Sequence, residues 1–209
     1  MYLPSAFTVT DPAAIDALLE RAPLGCLVTH GADGLFASHL PLLHDRARGV
    51  LCGHLARANP HRSLAGGGEA MVIFQGADAY ISPNWYPSKA ADGRVVPTWN
   101  YNVLHVYGEL SWREDEAWLR ANVAGLTDRF EAGQPHPWAL ADAPADYVAR
   151  MLTQIVGLEL RITRIEAKRK LSQNRSEADR RGVIAGLSAS ARATDQAVAR
   201  LMSGDQEAG

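Results

Sequence analysis

The sequence predicts a mainly β protein, a barrel with helices added outside it, and three observations carry that reading. Six or seven short apolar or alternating segments read as strands, most of them joined by turns of hairpin length. The strand–helix alternation of a doubly wound sheet is missing. No GxGxxG or GxxxxGK pattern is present, so Gly66-Gly67-Gly68 reads as a turn and not as a phosphate loop. With 209 residues, 47% of them hydrophobic, the chain can bury a sizeable core. A formal net charge of −2 selects no class of partner. Cys26 and Cys52 each lie inside an apolar run, where cysteine acts as a small buried hydrophobe. The start, MYLPSAF, carries no basic segment, and no window approaches the roughly 20 apolar residues of a membrane span. A cytoplasmic protein without a membrane partner is expected.

The elements follow in order. An opening strand precedes a helix in which Asp11 is the N-cap, Pro12 takes the first position, and Ile15, Leu18 and Leu19 share a face; Pro23 follows its end. Strands are expected over Leu24–Thr29, Leu35–His44 and Val50–Ala56, separated by turns at Gly31–Gly34 and Asp45–Gly49. Pro41 cannot donate to a ladder, so the second strand should be an edge or carry a bulge. Ala70–Gln75 and Ala79–Ser82 read as two more strands. Thr98–Trp112 is the longest, with Leu104, Val106, Gly108, Leu110 and Trp112 on its apolar face. Leu119, Val123, Leu126 and Phe130 then form one helical stripe, and Ala145–Leu152 a short helix. A last strand runs through Val156, Leu158, Leu160 and Ile162. The tail from Ser176 is helical, with Ser176 and Asp179 spaced as a capping box, and SGDQEAG should be disordered.

Two stretches suggest a binding site. Tyr80–Gly108 places Trp85, Tyr86, Trp99, Tyr101 and Tyr107 beside Asn84, Asn100 and Asn102, on a loop punctuated by Pro83, Pro87 and Pro97. Rings offer stacking area and amides read a donor and acceptor edge, which suits a planar heteroaromatic ligand. The same residues also suit an ordinary core loop. In Leu51–Leu64 a strand ends near Ala56 and Asn59 caps a helix with Pro60 at its first position. That turn points free N–H groups outward near His54, Arg57, His61 and Arg62, an anion site or else a capped surface helix. No metal site is expected, since Cys52-x-His54 lacks a second ligand pair.

Together MYLPSAF, GHLARANPH, YISPNWYPSK, VPTWNYNVLHVYG and KRKLSQNR resemble the FMN-binding negative transcriptional regulator family, the PaiB-type proteins. The resemblance spans Met1 to about Leu187. It implies a split β-barrel similar to pyridoxamine-phosphate oxidase and flavin reductases, with FMN in a cleft between the subunits of a homodimer. The barrel would occupy residues 1–170, and 171–209 would be a helical tail packed on it or on the partner. By the same resemblance, Ser38, His39, Leu40 and Pro41 would line the isoalloxazine edge, and His54, Arg57 and Asn59, with His61 nearby, would hold the phosphate. Lys89, Thr98, Trp99, Asn100 and Tyr101 would close the pocket from the partner. Lys170, Gln173 and Asn174, after the last strand, would reach the same cleft. Asn102-Val103-Leu104-His105 lacks the two arginines of the oxidases, which argues against oxidation of phosphorylated pyridoxine.

Three roles remain open to the sequence: an FMN-binding repressor, a flavin oxidoreductase, and a pocket for haem or another planar molecule. The repressor reading draws on a basic segment, Arg161, Arg164, Lys168, Arg169, Lys170, Arg175, Arg180 and Arg181, which could touch DNA phosphates. No helix-turn-helix accompanies it. In the enzyme, His39, His54 or His105 could donate a proton.

Overall fold

The computed structural model describes residues 1–22, 24–64 and 68–204. Pro23, the glycine turn at Gly66-Gly67 and the end of the tail, for which a turn and disorder were expected, lie outside the described residues. Chain order is β1 (Thr8–Val9), α1 (Pro12–Arg21), β2 (Leu24–Gly31), β3 (Gly34–Asp45), β4 (Val50–Ala56), α2 (His61–Leu64), β5 (Glu69–Ile81), α3 (Lys89–Asp92), β6 (Thr98–Arg113), α4 (Glu116–Glu131), α5 (Ala145–Leu152), β7 (Ile155–Lys170), α6 (Glu177–Ser188) and α7 (Ala193–Ser203). The strands are ordered β1-β7-β4-β3-β2-β5-β6, and β6 also pairs with β7, so the order returns on itself. Among the described residues no helix is long and apolar enough to cross a membrane.

The chain divides into two compact units, one of Leu19–Phe74 and His105–Ile165, the other of Met1–Leu18, Gln75–Leu104 and Glu166–Gly209. In the first, hereafter the barrel unit, β2 and β3 form a hairpin from Gly31↔Gly34 to Leu24↔Pro41, and Gly34 supplies the positive φ of 102° that the turn requires. β3 pairs with β4 only from Leu42↔Gly53 to Asp45↔Val50. Over Gly34–Pro41 β3 is thus in register with β2 alone, the local edge that Pro41 suggested, and only from Leu42 does it pair with β4. Pro41 stands where β3 ends its register with β2 and takes up β4, so its missing N–H falls between the two ladders. β4 runs antiparallel to β7 from Val50↔Arg161 to Ala56↔Ile155. Closure onto β6 is marked by Ser111 Oγ donating to Glu159 O and Thr163 Oγ1 donating to Tyr107 O. Gly108 permits it, because a Cβ there would overlap the Arg161 carbonyl. Leu27, Leu40, Val72, Phe74, Val106, Leu158 and Leu160 are among the buried apolar side chains of these strands.

α4 starts at Asp115, whose carboxylate accepts from Trp118 N. It buries Leu119, Asn122 and Leu126, while Phe130, expected on the same stripe, is 47% exposed. Val148 and Leu152 of α5 pack with Leu119.

In the second unit, hereafter the tail unit, β1 pairs with the end of β7 (Thr8↔Lys168, Val9↔Ala167). Ala79, Ile81, Tyr86 and Leu171 form a core with Val183, Leu187, Val198 and Met202 of α6 and α7. Asp179 N donates to Ser176 Oγ, half of the expected capping box. The Asp179 carboxylate instead accepts from Ser88 N and Ser88 Oγ, which holds it below the usual carboxylate range. Two expected strands, Ala70–Gln75 and Ala79–Ser82, are one continuous β5. Gly76 lies inside it, and the Asn102 amide occupies the space its Cβ would need. β7 is likewise longer than expected, so Lys168 and Lys170 stand on the strand and not after it.

Candidate functional site

The expected site residues fall into two sets, one in each unit. In the barrel unit the first is built around His61, which is fully buried at the start of α2. Its Nδ1 lies 2.9 Å from Ser38 Oγ and its Nε2 3.0 Å from Thr29 Oγ1. Asn59 Oδ1 accepts from His61 N, and Asn59 Nδ2 donates to Ser38 Oγ. Phe36 and Trp112 stand edge-on to the imidazole. Burial lowers the His61 pKa, so the ring stays neutral with one nitrogen donating and one accepting. Ser38, Asn59 and His61 are thus brought together as a buried brace behind β3.

Arg57 serves a different end of the same unit. Its Nε and Nη2 donate to Thr153 O and Ile155 O, and Nη1 reaches Glu114, which Arg62 also holds. His54 is half-buried and bonds Asn122 Oδ1 through Nδ1 at 3.2 Å, facing α4. His54, Arg57 and Asn59 therefore each have a protein partner. His39 is exposed and Leu40 buried on β3. From Gly34 to Pro41 this strand is registered with β2 on one side, and its register with β4 begins only at Leu42. Alternate residues in Ser38–Pro41 consequently direct N–H and C=O groups to a side with no registered strand.

The second set lies in the tail unit. β6 alternates so that Asn100 and Asn102 are buried while Trp99 and Tyr101 face outward. Asn100 is not a surface amide: it bonds Ser172 Oγ at 3.0 Å and Met202 Sδ at 3.3 Å. Trp99 is 48% exposed and meets Tyr80 edge-on at 6.2 Å. With Tyr101, Val103, Gln75 and Asp78 it lines an open apolar cleft of about 350 Å³. Cations border the aromatics. Lys170 Nζ donates to Thr98 Oγ1 and Trp99 O, and Lys168 Nζ stands 5.3 Å over the Tyr101 ring. Burial, then Lys168 and Arg175, lower the Lys170 pKa. Lys89 bonds Asn84 Oδ1, and Gln173 turns back to Leu171 N and Arg169 O. Asn174 is exposed beside Gln173. Lys168 and Tyr80, which sequence reasoning did not place in the site, belong to this face, and for Lys168 the period-two alternation of β7 was the signal.

Among the described residues no group of three or more His, Cys, Asp or Glu could hold a metal ion. A strand order that returns on itself through the pairing of β6 with β7 is the architecture of a split barrel. The chain belongs to the family described as "Putative FMN-binding domain", which it matches over residues 1–164, and FMN is the cofactor of that family. It is 32% identical over 205 residues to "Protease synthase and sporulation protein PAI 2" of Bacillus subtilis (strain 168), covering 97% of this chain and 96% of that one. It is also 30% identical over 226 residues to an uncharacterized protein of Emericella nidulans, covering 90% of each. Among solved structures, the FAD and heme binding protein from Mycobacterium smegmatis superposes with a TM-score of 0.58 at 21% identity, over 78% of this chain and 73% of that one. The flavocytochrome Anf3 from Azotobacter vinelandii gives 0.60 at 13% identity, over 78% and 69%. These likenesses carry the fold: a split barrel of the PaiB type that binds FMN.

Proposed function

We propose that this chain is a homodimeric, cytoplasmic FMN-binding protein that acts as a negative regulator of gene expression, with the cofactor in a cleft at the subunit interface. The observation that carries this reading is the exposed Trp99–Tyr101–Tyr80 face, an apolar surface that a lone protomer leaves in water. The Ser38–Pro41 edge of one protomer would bind the pyrimidine part of the ring, and the aromatic face of its partner would cover the ring. Lys168, Lys170 and Arg175 crowd one another, and a phosphate would relieve that repulsion. FMN supplies redox-active isoalloxazine when bound; the chain orients it and shields it from water.

The regulatory part rests on the full-length likeness to PAI 2. The basic segment gives DNA little to hold. Lys168 donates to Tyr2 O, Arg161 pairs with Glu109, Arg180 donates to Met202 O, and the Arg175 guanidinium lies over Tyr86. This segment therefore gives a direct DNA contact only weak support, and the regulation is read as indirect. Mass spectrometry of the ligand released on denaturation should return FMN; haem or no ligand would contradict the reading. A promoter shift abolished by neutralising Lys168 and Lys170 would overturn the indirect route.

A further inference from the structure

The aromatic cleft of the tail unit has two unlike flanks. In the strand order β6 lies between β5 and β7, so the outward rings of Trp99 and Tyr101 have β5 on one side and β7 on the other. On the β7 side the cations are already engaged. Lys170 donates to Thr98 Oγ1 and Trp99 O, and Lys168 stands over the Tyr101 ring. On the β5 side stand Gln75 and Asp78. Asp78 shares the outward face of β5 with Tyr80, because Ala79 and Ile81 are buried, and Tyr80 meets Trp99 edge-on.

Asp78 is half-buried, yet among the described residues no hydrogen bond or ion pair engages its carboxylate. Elsewhere the fold pairs its buried carboxylates, Asp179 with Ser88 and Glu159 with Arg48 and Arg113. Ring faces are negative, so the aromatics around Asp78 do not stabilise an anion either. A cleft of about 350 Å³ lined by Gln75, Asp78, Trp99, Tyr101 and Val103 leaves a planar ring little room away from this charge.

Isoalloxazine is neutral when oxidised and, after gaining two electrons and one proton, is an anion at neutral pH. The same rings can cover both forms, but a fixed carboxylate beside them repels only the anion. We propose that Asp78, on the reading that seats FMN against this face, biases the bound cofactor toward its oxidised form and so sets the potential at which the protein changes redox state. Lys168 and Lys170 act in the opposite sense from the β7 side, so the sign of the Asp78 effect is what identifies it.

Full-length protein loaded with FMN is reduced with dithionite under argon beside a reference dye, and the midpoint potential is read from the two absorbances. Asp78→Asn keeps the shape and removes the charge. It should favour reduced over oxidised FMN by roughly tenfold, an upward shift of about 30 mV for a two-electron couple. Gln75→Glu adds a second carboxylate to the cleft and should move the potential downward, a reversal of sign that mere loosening of the cleft does not produce. Should Asp78→Asn fail to fold, Gln75→Glu decides by the same readout. An unmoved potential in either variant, or a downward shift in Asp78→Asn, overturns the proposal and leaves FMN binding standing. A wild type that takes up no FMN overturns the FMN reading itself, and the proposal with it.

Discussion

Burying a neutral histidine has a consequence for acid stability. The folded-state pKa of His61 lies below the ordinary 6.5, with burial as the cause. The unfolded chain therefore takes up a proton that the folded chain refuses, and stability is full above about 6.5 and falls as pH drops through that value. Urea midpoints measured between pH 7.5 and 5 should decline in the wild type, and His61→Gln should flatten the part of that decline that belongs to this ring. The same substitution should cost about 1–3 kcal/mol at neutral pH by loosening Ser38 and Thr29. Arg57→Ala should cost less, about 0.5–1.5 kcal/mol, since its bonds to the two carbonyls are exposed. Calorimetric FMN affinity of the same variant shows whether Arg57 also meets phosphate. The polar cluster around Asn59 was legible from spacing alone. Its partner Ser38 was not, because it lies 21 and 23 residues away from Asn59 and His61 across a hairpin.

Elements were read well where a local pattern dictates them. β4 and α5 have the expected bounds, and Asp11 caps α1 by accepting from Ala14 N. Errors arose where a single residue has two physical meanings. Glycine at 76 falls in the gap left between two expected strands, yet it is a close approach of Asn102 to β5. Asn100 reads as a ligand amide, yet the alternation that turns Trp99 outward turns it inward. Gly108→Ala tests the closure of β6 on β7 directly. The new methyl meets backbone, not a movable side chain, so the loss should be about 1–3 kcal/mol or more by thermal unfolding. A variant as stable as wild type would mean that β6 and β7 do not approach as described.

At the scale of the whole molecule, the fold and the cofactor class were legible because five motifs occur together in order; an arrangement of the two sets of site residues across protomers was not, since one sequence does not display its partner. Lys170→Met should weaken FMN by about 1.5–3 kcal/mol if its ammonium meets phosphate, and should do so with little change in unfolding temperature. The central claim is that an exposed aromatic face and FMN belong to one subunit interface. Native mass spectrometry of the wild type and Trp99→Ser tests it most directly. The wild type should appear at twice the 22.6 kDa chain mass with one FMN per chain, and Trp99→Ser should lose dimer and FMN together. A wild-type monomer that retains FMN, or a Trp99→Ser dimer with full FMN, would contradict the account.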